Sequence, residues 1–544
     1  MRIQHNLRPP AISILASLIL LILIYAKAVD LGLRDFTAPM TSKIHEIVLR
    51  NVAIALSNRL YSTQHDYTGL GEIYSSFYSA KFGASPAYQT AKTVDQAIAY
   101  FRDAPPLDAK NVFFGWGEDF GLSDYAYLAF AVFGFSLTSL FDLYFVFLFL
   151  SVALFVFQFR SWPPALAVPP LVLAALYAAL PAYVLSPESS SLFSNRSAPV
   201  LGLLPSLHAV LWLLGTNDAR KYCVGYLIAQ LILIVMVVHA RATANWQVLT
   251  ITLVSLGTFA WHARRFFLSV RQRDKLAMPY RFLLPATFLM TAIVAHSGYM
   301  RVAVAPQYKQ GGADSHSKWH MLFMGLTLHP RSRDLGWQPD DVGVTRLAQE
   351  YFERHHSYYS VRRGWRQWDL DVSPWTTGKW GNYEIVVRDM FIDFAVSHPR
   401  FVMRAQMQKA MFMASWVMMG FGLAPPTWLA KTANADISTS ILQLEGVRLS
   451  PLTLVTALTL VATVLVLGLR QGRSPPIDGL LPIVVSVLAL FVGSLLPGTL
   501  TAPIPHGMID VIVCAHAAVL VIVLTLLLGL WNLLGSQRGT RECT

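Results

Sequence analysis

Residues 138–159 read TSLFDLYFVFLFLSVALFVFQF, and Arg160 follows them. One carboxylate, Asp142, falls in a run that is otherwise free of charge. A helix rises about 1.5 Å per residue, so a run of this length spans roughly 30 Å, the thickness of a bilayer's hydrocarbon core. A helix also satisfies its own backbone groups, which lipid cannot do. Comparable runs occupy about 11–29, 163–184, 199–215, 222–240, 246–262, 279–300, 450–470, 477–497 and 508–534. The expected fold is therefore an all-α polytopic membrane protein with about ten transmembrane helices.

Composition agrees. Of 544 residues, 54% are hydrophobic and 14% charged, against about 25% charged in a soluble globular chain. The 43 Lys+Arg and 31 Asp+Glu leave a formal charge of +12. Much of the excess sits in short connections: Arg160, Asp218-Ala219-Arg220-Lys221, and His262-Ala263-Arg264-Arg265 through Arg271, Arg273 and Lys275. These fall on one side if the N-terminus is cytoplasmic, which places both termini in the cytoplasm. No basic stretch shows the spaced aromatics of a base-stacking surface, which argues against nucleic acid as a partner and for membrane lipids. Cys223, Cys514 and Cys543 imply neither a disulfide framework nor a Cys-based metal site. The first run follows Arg2 and Arg8 and is too long for a signal-peptide core, so it reads as a retained span.

Two long segments, about 30–137 and 301–398, then lie outside the cytoplasm. Helical patterns are expected near Ser42–Leu60 and Val94–Phe101 in the first. The second, rich in Trp, Tyr, His and Arg, reads as a folded, α-rich mixed insert. It continues into residues 401–429, where Arg400, Arg404 and Lys409 adjoin a Met/Phe/Trp-rich stretch ending in Pro425-Pro426. That stretch fits an interfacial amphipathic helix better than an eleventh span. The expected division is a membrane module over 1–300, an insert over 301–430, and C-terminal helices with a short tail over 431–544.

Gly115-Trp116-Gly117-Glu118-Asp119-Phe120-Gly121 sets two adjacent carboxylates in a glycine-rich turn before the second span. Such carboxylates would be partly desolvated at headgroup depth. They could accept a proton from a hydroxyl or ligate a divalent metal bridging a lipid diphosphate. Alternatively, they cap the helix that follows, where acids favour the macrodipole.

A first span, a long outer loop ending in an acidic pair, the Tyr125-Ala126-Tyr127-Leu128-Ala129-Phe130 stretch running to Phe133-Gly134, and then a dense series of spans resemble the GT-C superfamily. These are membrane glycosyltransferases that use polyprenyl-phosphate sugar donors. The resemblance covers roughly Ile12 to Met300, a seven-span module. The pair reads Glu-Asp where many members have Asp-Asp or Asp-Glu. The resemblance implies an inverting glycosyltransferase of the cell envelope, in a bacterial inner (plasma) membrane. It also implies a polyprenyl-phosphate-linked sugar donor, a glycan or lipid acceptor, and Asp119, with Glu118 beside it, as general base.

The donor phosphate would need cations. Arg196, in Ser194-Asn195-Arg196-Ser197, and Arg241, in His239-Ala240-Arg241-Ala242-Thr243, fall on the side of the acidic turn. Arginine forks bind phosphate oxygens selectively, though each residue also reads as a snorkelling side chain at the membrane edge. Glu188, beside Arg196, reads more simply as a solvated acid. Arg301 opens the insert and is followed by His316, Lys318 and His320, candidates for phosphate or sugar contact. His316 and His320 share metal-site spacing but lack an intervening His-Glu-x-x-His acid. Further on, Trp365, Trp368, Trp375 and Trp380 alternate with Arg362, Arg363, Arg366 and Lys379, suiting sugar rings or a membrane-edge belt alike.

Two other function classes fit the same composition: a lipid or glycan transporter or flippase, and a non-catalytic assembly subunit. Ion-coupled carriers place ionisable residues at mid-membrane and show inverted repeats. Here the candidate spans hold few, Asp142, Arg281 and Asp510, with Asp478 near an end; most lie near span ends, and no repeat is visible.

Overall fold

The computed structural model describes residues 9–34, 120–134, 138–185, 198–215, 223–270, 279–303, 318–421 (apart from 328, 333, 339–340 and 375–379), 480–501 and 509–541. Its main helices are α1 (Pro9–Asp30), α2 (Phe120–Phe133), α3 (Thr138–Phe159), α4 (Val168–Leu185), α5 (Leu203–Leu214), α6 (Val224–Ala240), α7 (Asn245–Val270) and α8 (Leu284–Ala303). They are followed by α9 (Lys318–Thr327), α10 (Asp341–Arg354), α11 (His356–Arg363), α12 (Trp380–Ser397), α13 (Pro399–Gly420), α14 (Leu481–Leu500) and α15 (Ile509–Arg541). No strand occurs among the described residues, so the mixed character expected of the insert is absent there.

Among the described residues, six stretches are long and apolar enough to cross a membrane: Pro9–Asp30, Thr138–Phe159, Pro163–Pro181, Tyr280–Tyr299, Leu481–Leu500 and Ile509–Leu528. The chain is a helical integral membrane protein. Two further apolar helices, Leu203–Leu214 and Val224–Ala240, are shorter. At about 1.5 Å per residue the first of them reaches only about 18 Å. The expected span near 246–262 is the long helix α7, whose Gln247, Thr250 and Ser255 lower its hydropathy but are buried against neighbours. The Gln247 amide donates to the Pro199 carbonyl at 2.6 Å and its oxygen accepts from Ser206 at 3.2 Å. The expected span at 450–470 lies outside the described residues.

The bundle is organised around α5, which is buried at every position from Leu203 to Leu213. A helix apolar all round belongs inside its neighbours, and α5 packs against α6, α7 and α14. One hydrophobic core joins it to α1, α3, α4 and α15.

The segment from α9 to α12 has its own core, built on Phe323, Phe352, Tyr359, Trp368, Tyr383 and Val387. Glu384 of α12 caps α9 by accepting the Trp319 N–H at 2.8 Å and the His320 N–H at 3.0 Å. Burial pushes its carboxyl above the ordinary range despite those donors. Helix α13, placed near 401–429 by the sequence, links the two cores. Phe401 in its first turns packs on Trp337 and Phe394 of the insert, while Met413 and Trp416 belong to the bundle core. The buried Lys409 amine donates to the carbonyls of Leu500 (3.2 Å) and Thr501 (2.9 Å), a cation at the negative end of α14. Gly325 of α9 closes the same joint, since any Cβ there would meet the Thr501 carbonyl oxygen.

His329 is expected to make the insert acid-sensitive. Its ring packs 4.5 Å from Phe401, and its Nδ1 accepts the Arg331 N–H at 3.1 Å. Burial, and then the charges of Arg331 and Arg404, lower its pKa from the usual 6.5. The folded state thus prefers neutral His329, and this stabilisation is present above pH 6.5 and lost as pH falls through the lowered value. The apparent melting temperature of the purified full-length protein should fall between pH 7 and 5, and His329→Asn should flatten that slope. Equal slopes would show that His329 does not contribute.

Candidate functional site

The candidate site is built where α2 crosses the ends of other helices. The Tyr125 hydroxyl donates to the Leu140 carbonyl at 2.7 Å, fixing α2 against the start of α3. On its other side α2 packs on α6. Gly121 makes this contact possible, because a Cβ there would lie 2.5 Å from the His239 carbonyl carbon and 2.7 Å from the Ala240 nitrogen. The same end of the bundle carries the start of α7, where Trp246 Nε1 donates to Asp510 at the head of α15 at 2.8 Å. It also carries the end of α14, on which the insert rests.

Three ionisable side chains meet there. The rings of His239 (α6) and His296 (α8) lie 3.8 Å apart, inclined by 33°. Asp124 of α2 stands 3.8 Å from His296 Nε2. His239 Nε2, His296 Nδ1 and the Thr243 hydroxyl are buried with no hydrogen-bond partner among the described residues. A buried polar atom left so costs about 1–3 kcal/mol, and one ligand supplying acceptor or hydroxyl oxygens could satisfy several of them. Arg241 is the C-cap of α6, with extended backbone and its N–H donating to Val237 at 2.9 Å. The extension follows from the chain turning into the 3-10 turn Ala242–Ala244 before α7 begins.

The expected site residues are distributed unevenly. Arg241 follows His239 by two residues, at the C-cap of α6. Arg301 lies in the last turn of α8, the helix that supplies His296. Lys318 opens α9 and is exposed. Glu118, Asp119, Arg196 and His316 lie outside the described residues.

His320 is committed to the insert. Its Nδ1 hydrogen-bonds with the Tyr383 hydroxyl at 2.6 Å and its Nε2 with Asp341 at 3.1 Å. An ionised Asp341 accepts only, so Nε2 carries the proton and Nδ1 accepts from Tyr383. Both ring nitrogens are used and the side chain is buried. Burial drives the Tyr383 phenol well above its ordinary pKa, which keeps it a neutral donor.

Sequence reasoning missed Asp124, His239 and His296. The usable signal was His296, an ionisable side chain within an apolar run, a standing flag for function. Among the described residues, no three His, Cys, Asp or Glu side chains are grouped to hold a metal ion. No family model, no curated protein and no solved structure matches this chain.

Proposed function

We propose that the chain is an inverting membrane glycosyltransferase that moves a sugar from a polyprenyl-phosphate donor to an acceptor outside the cytoplasm. The observation that carries this reading is the meeting of Asp124, His239 and His296 where α6 ends at its C-cap Arg241, shortly before Thr243, at the bundle end that also bears the insert. The helix completing the cluster, α2, begins at Phe120, the residue after Asp119 in the sequence. In this reading ten spans cross a bacterial inner membrane with both termini cytoplasmic. Residues 1–300 form the catalytic module, 301–430 the extracytoplasmic insert, and 431–544 the C-terminal spans.

The donor's prenyl tail lies among the spans and its phosphate is held by Arg241, with Arg196 as a second cation. Asp119 takes the proton of an acceptor hydroxyl. The hydroxyl oxygen attacks the anomeric carbon as the bond from that carbon to the phosphate oxygen breaks, and lipid phosphate leaves with the bonding electrons. A single base suffices, because the leaving phosphate is already a stabilised anion. A divalent ion, if the donor uses one, would be held by Glu118 and Asp119.

Polyprenyl phosphate, the product shared by every donor of this class, tests the reading. Losing a charged hydrogen bond is worth about 1.5–3 kcal/mol, so Arg241→Ala should weaken its binding to protein in nanodiscs by about 10–100-fold. Unchanged affinity in both Arg241→Ala and Arg196→Ala would remove the phosphate site.

A further inference from the structure

Residues 354–366 read RHHSYYSVRRGWR, with four arginines, two histidines and no Asp or Glu. Helix α11 occupies the middle of this stretch and buries Tyr359. That ring stacks on Phe352 at 5.4 Å and on Trp365 at 5.7 Å, and its hydroxyl donates to Asp389 at 3.2 Å. Gly364 ends the helix at φ +70°, a left-handed turn that returns Trp365 to Tyr359. With Tyr359 turned inward, helical spacing puts Tyr358, Val361 and Arg362 on another face. Val361 there is 86% exposed, and Leu370 beyond the turn is 63% exposed. Arg354, Arg362, Arg363 and Arg366 are all exposed in the same stretch as Val361, whereas Leu370 is flanked by Asp369 and Asp371.

The aromatic rings of this surface are already covered. The Arg362 guanidinium lies over Tyr358 at 5.3 Å, and that of Arg363 over Trp365 at 5.7 Å. Trp365 has Tyr359 stacked on it as well. Sugar rings and nucleobases bind on bare aromatic faces, and each of these rings already has an arginine over one face. What the surface offers instead is an exposed aliphatic side chain, Val361, in a stretch that carries four exposed arginines, with Tyr and Trp among them. A bilayer's headgroup layer matches all three features: Tyr and Trp settle there, arginine pairs with lipid phosphate, and short aliphatic side chains reach the acyl boundary. The bundle already anchors the chain in a membrane, so headgroups are present at high effective concentration.

We propose that α11 is a second membrane contact of this protein, seated on anionic phospholipid headgroups of the leaflet facing the insert. Val361 enters the acyl boundary, and Arg354, Arg362, Arg363 and Arg366 meet lipid phosphates. Such a contact holds the insert over the membrane at two places, the α9/α13 joint with α14 and the α11 surface. It is independent of glycosyl transfer and would operate in a transporter as well.

The test uses full-length protein carrying Cys223→Ser, Cys543→Ser and Val361→Cys with a nitroxide at 361. The protein is reconstituted in nanodiscs of phosphatidylcholine, with or without phosphatidylglycerol. Adding phosphatidylglycerol should shift the label from collision with a water-soluble nickel chelate to collision with oxygen. Arg362→Glu together with Arg363→Glu should abolish the shift. Arg362→Gln with Arg363→Gln leaves Tyr359 and its packing untouched and should reduce the shift, which keeps the test decisive if the acidic pair misfolds. A label equally water-exposed with and without phosphatidylglycerol overturns the proposal. So does a label that polygalacturonate protects and lipid does not, which would assign the surface to an acidic glycan.

Discussion

Asp119→Asn is expected to reduce sugar transfer by about 10²–10⁴-fold, the usual loss when a positioned general base is removed. Asn keeps the size and much of the hydrogen bonding of Asp but cannot accept the acceptor's proton. Folding, insertion and polyprenyl phosphate binding should therefore survive, and the loss should fall on turnover. Glu118→Gln should cost less if Glu118 only assists. The comparison also separates the function classes. A flippase or an assembly subunit makes no demand on the Asp119 carboxylate, so retained glycan formation in both variants would remove the proposed base. The assay is product formation by purified, reconstituted protein, with variant expression and melting matched to the parent.

Gly121→Val should cost nearly as much without touching an ionisable group. A Cβ at 121 would sit 2.5 Å and 2.7 Å from backbone atoms of His239 and Ala240, which cannot rotate away. Helix α2 must then withdraw from α6, carrying Asp124 away from His296 and disturbing the segment that begins at Asp119. A displacement of about 1 Å from productive geometry can cost about 100-fold in rate. Overpacking of this kind also costs about 1–3 kcal/mol of stability. Gly121→Ala should be intermediate. Transfer by Gly121→Val at the parental rate would show that the α2–α6 contact is irrelevant to activity.

The membrane helices were the most legible part of the sequence, because a bilayer imposes one length and one polarity on whatever crosses it. The expected run 138–159 coincides with α3, and 279–300 closely matches the apolar stretch Tyr280–Tyr299. The expectation was weaker where helices are enclosed by other helices. There, polar side chains such as Gln247 are tolerated because Pro199 and Ser206 satisfy them, and a helix as short as α5 is buried along nearly its whole length. Mean hydropathy does not register either effect. In the insert, the alternation of Trp with Arg suited sugar rings or a membrane-edge belt alike. Packing divides it: Trp368 is in the core, while Arg362, Arg363 and Arg366 remain exposed. His320 is another such case, since only the fold brings Tyr383 and Asp341 to its two nitrogens.

The site was legible in outline and not in detail. Charge bias and span ends drew attention to Arg241, and the structure finds it capping α6 beside the histidine pair. The pairing of His239 with His296 depends on how α6 packs against α8, and Asp124 joins only because Gly121 lets α2 come close. Such convergence of distant residues is set by helix packing, which a single sequence does not display.

All of the proposed chemistry needs the α2–α6–α8 end of the bundle to face away from the cytoplasm. Cysteine labelling in intact cells, with Cys223 and Cys543 replaced by Ser, tests this directly. Val302→Cys, 81% exposed in the last turn of α8, should react with a membrane-impermeant maleimide before permeabilisation. Arg264→Cys, toward the other end of α7, should react only afterwards. The opposite pattern, with residue 264 labelled first and 302 protected, would contradict the account.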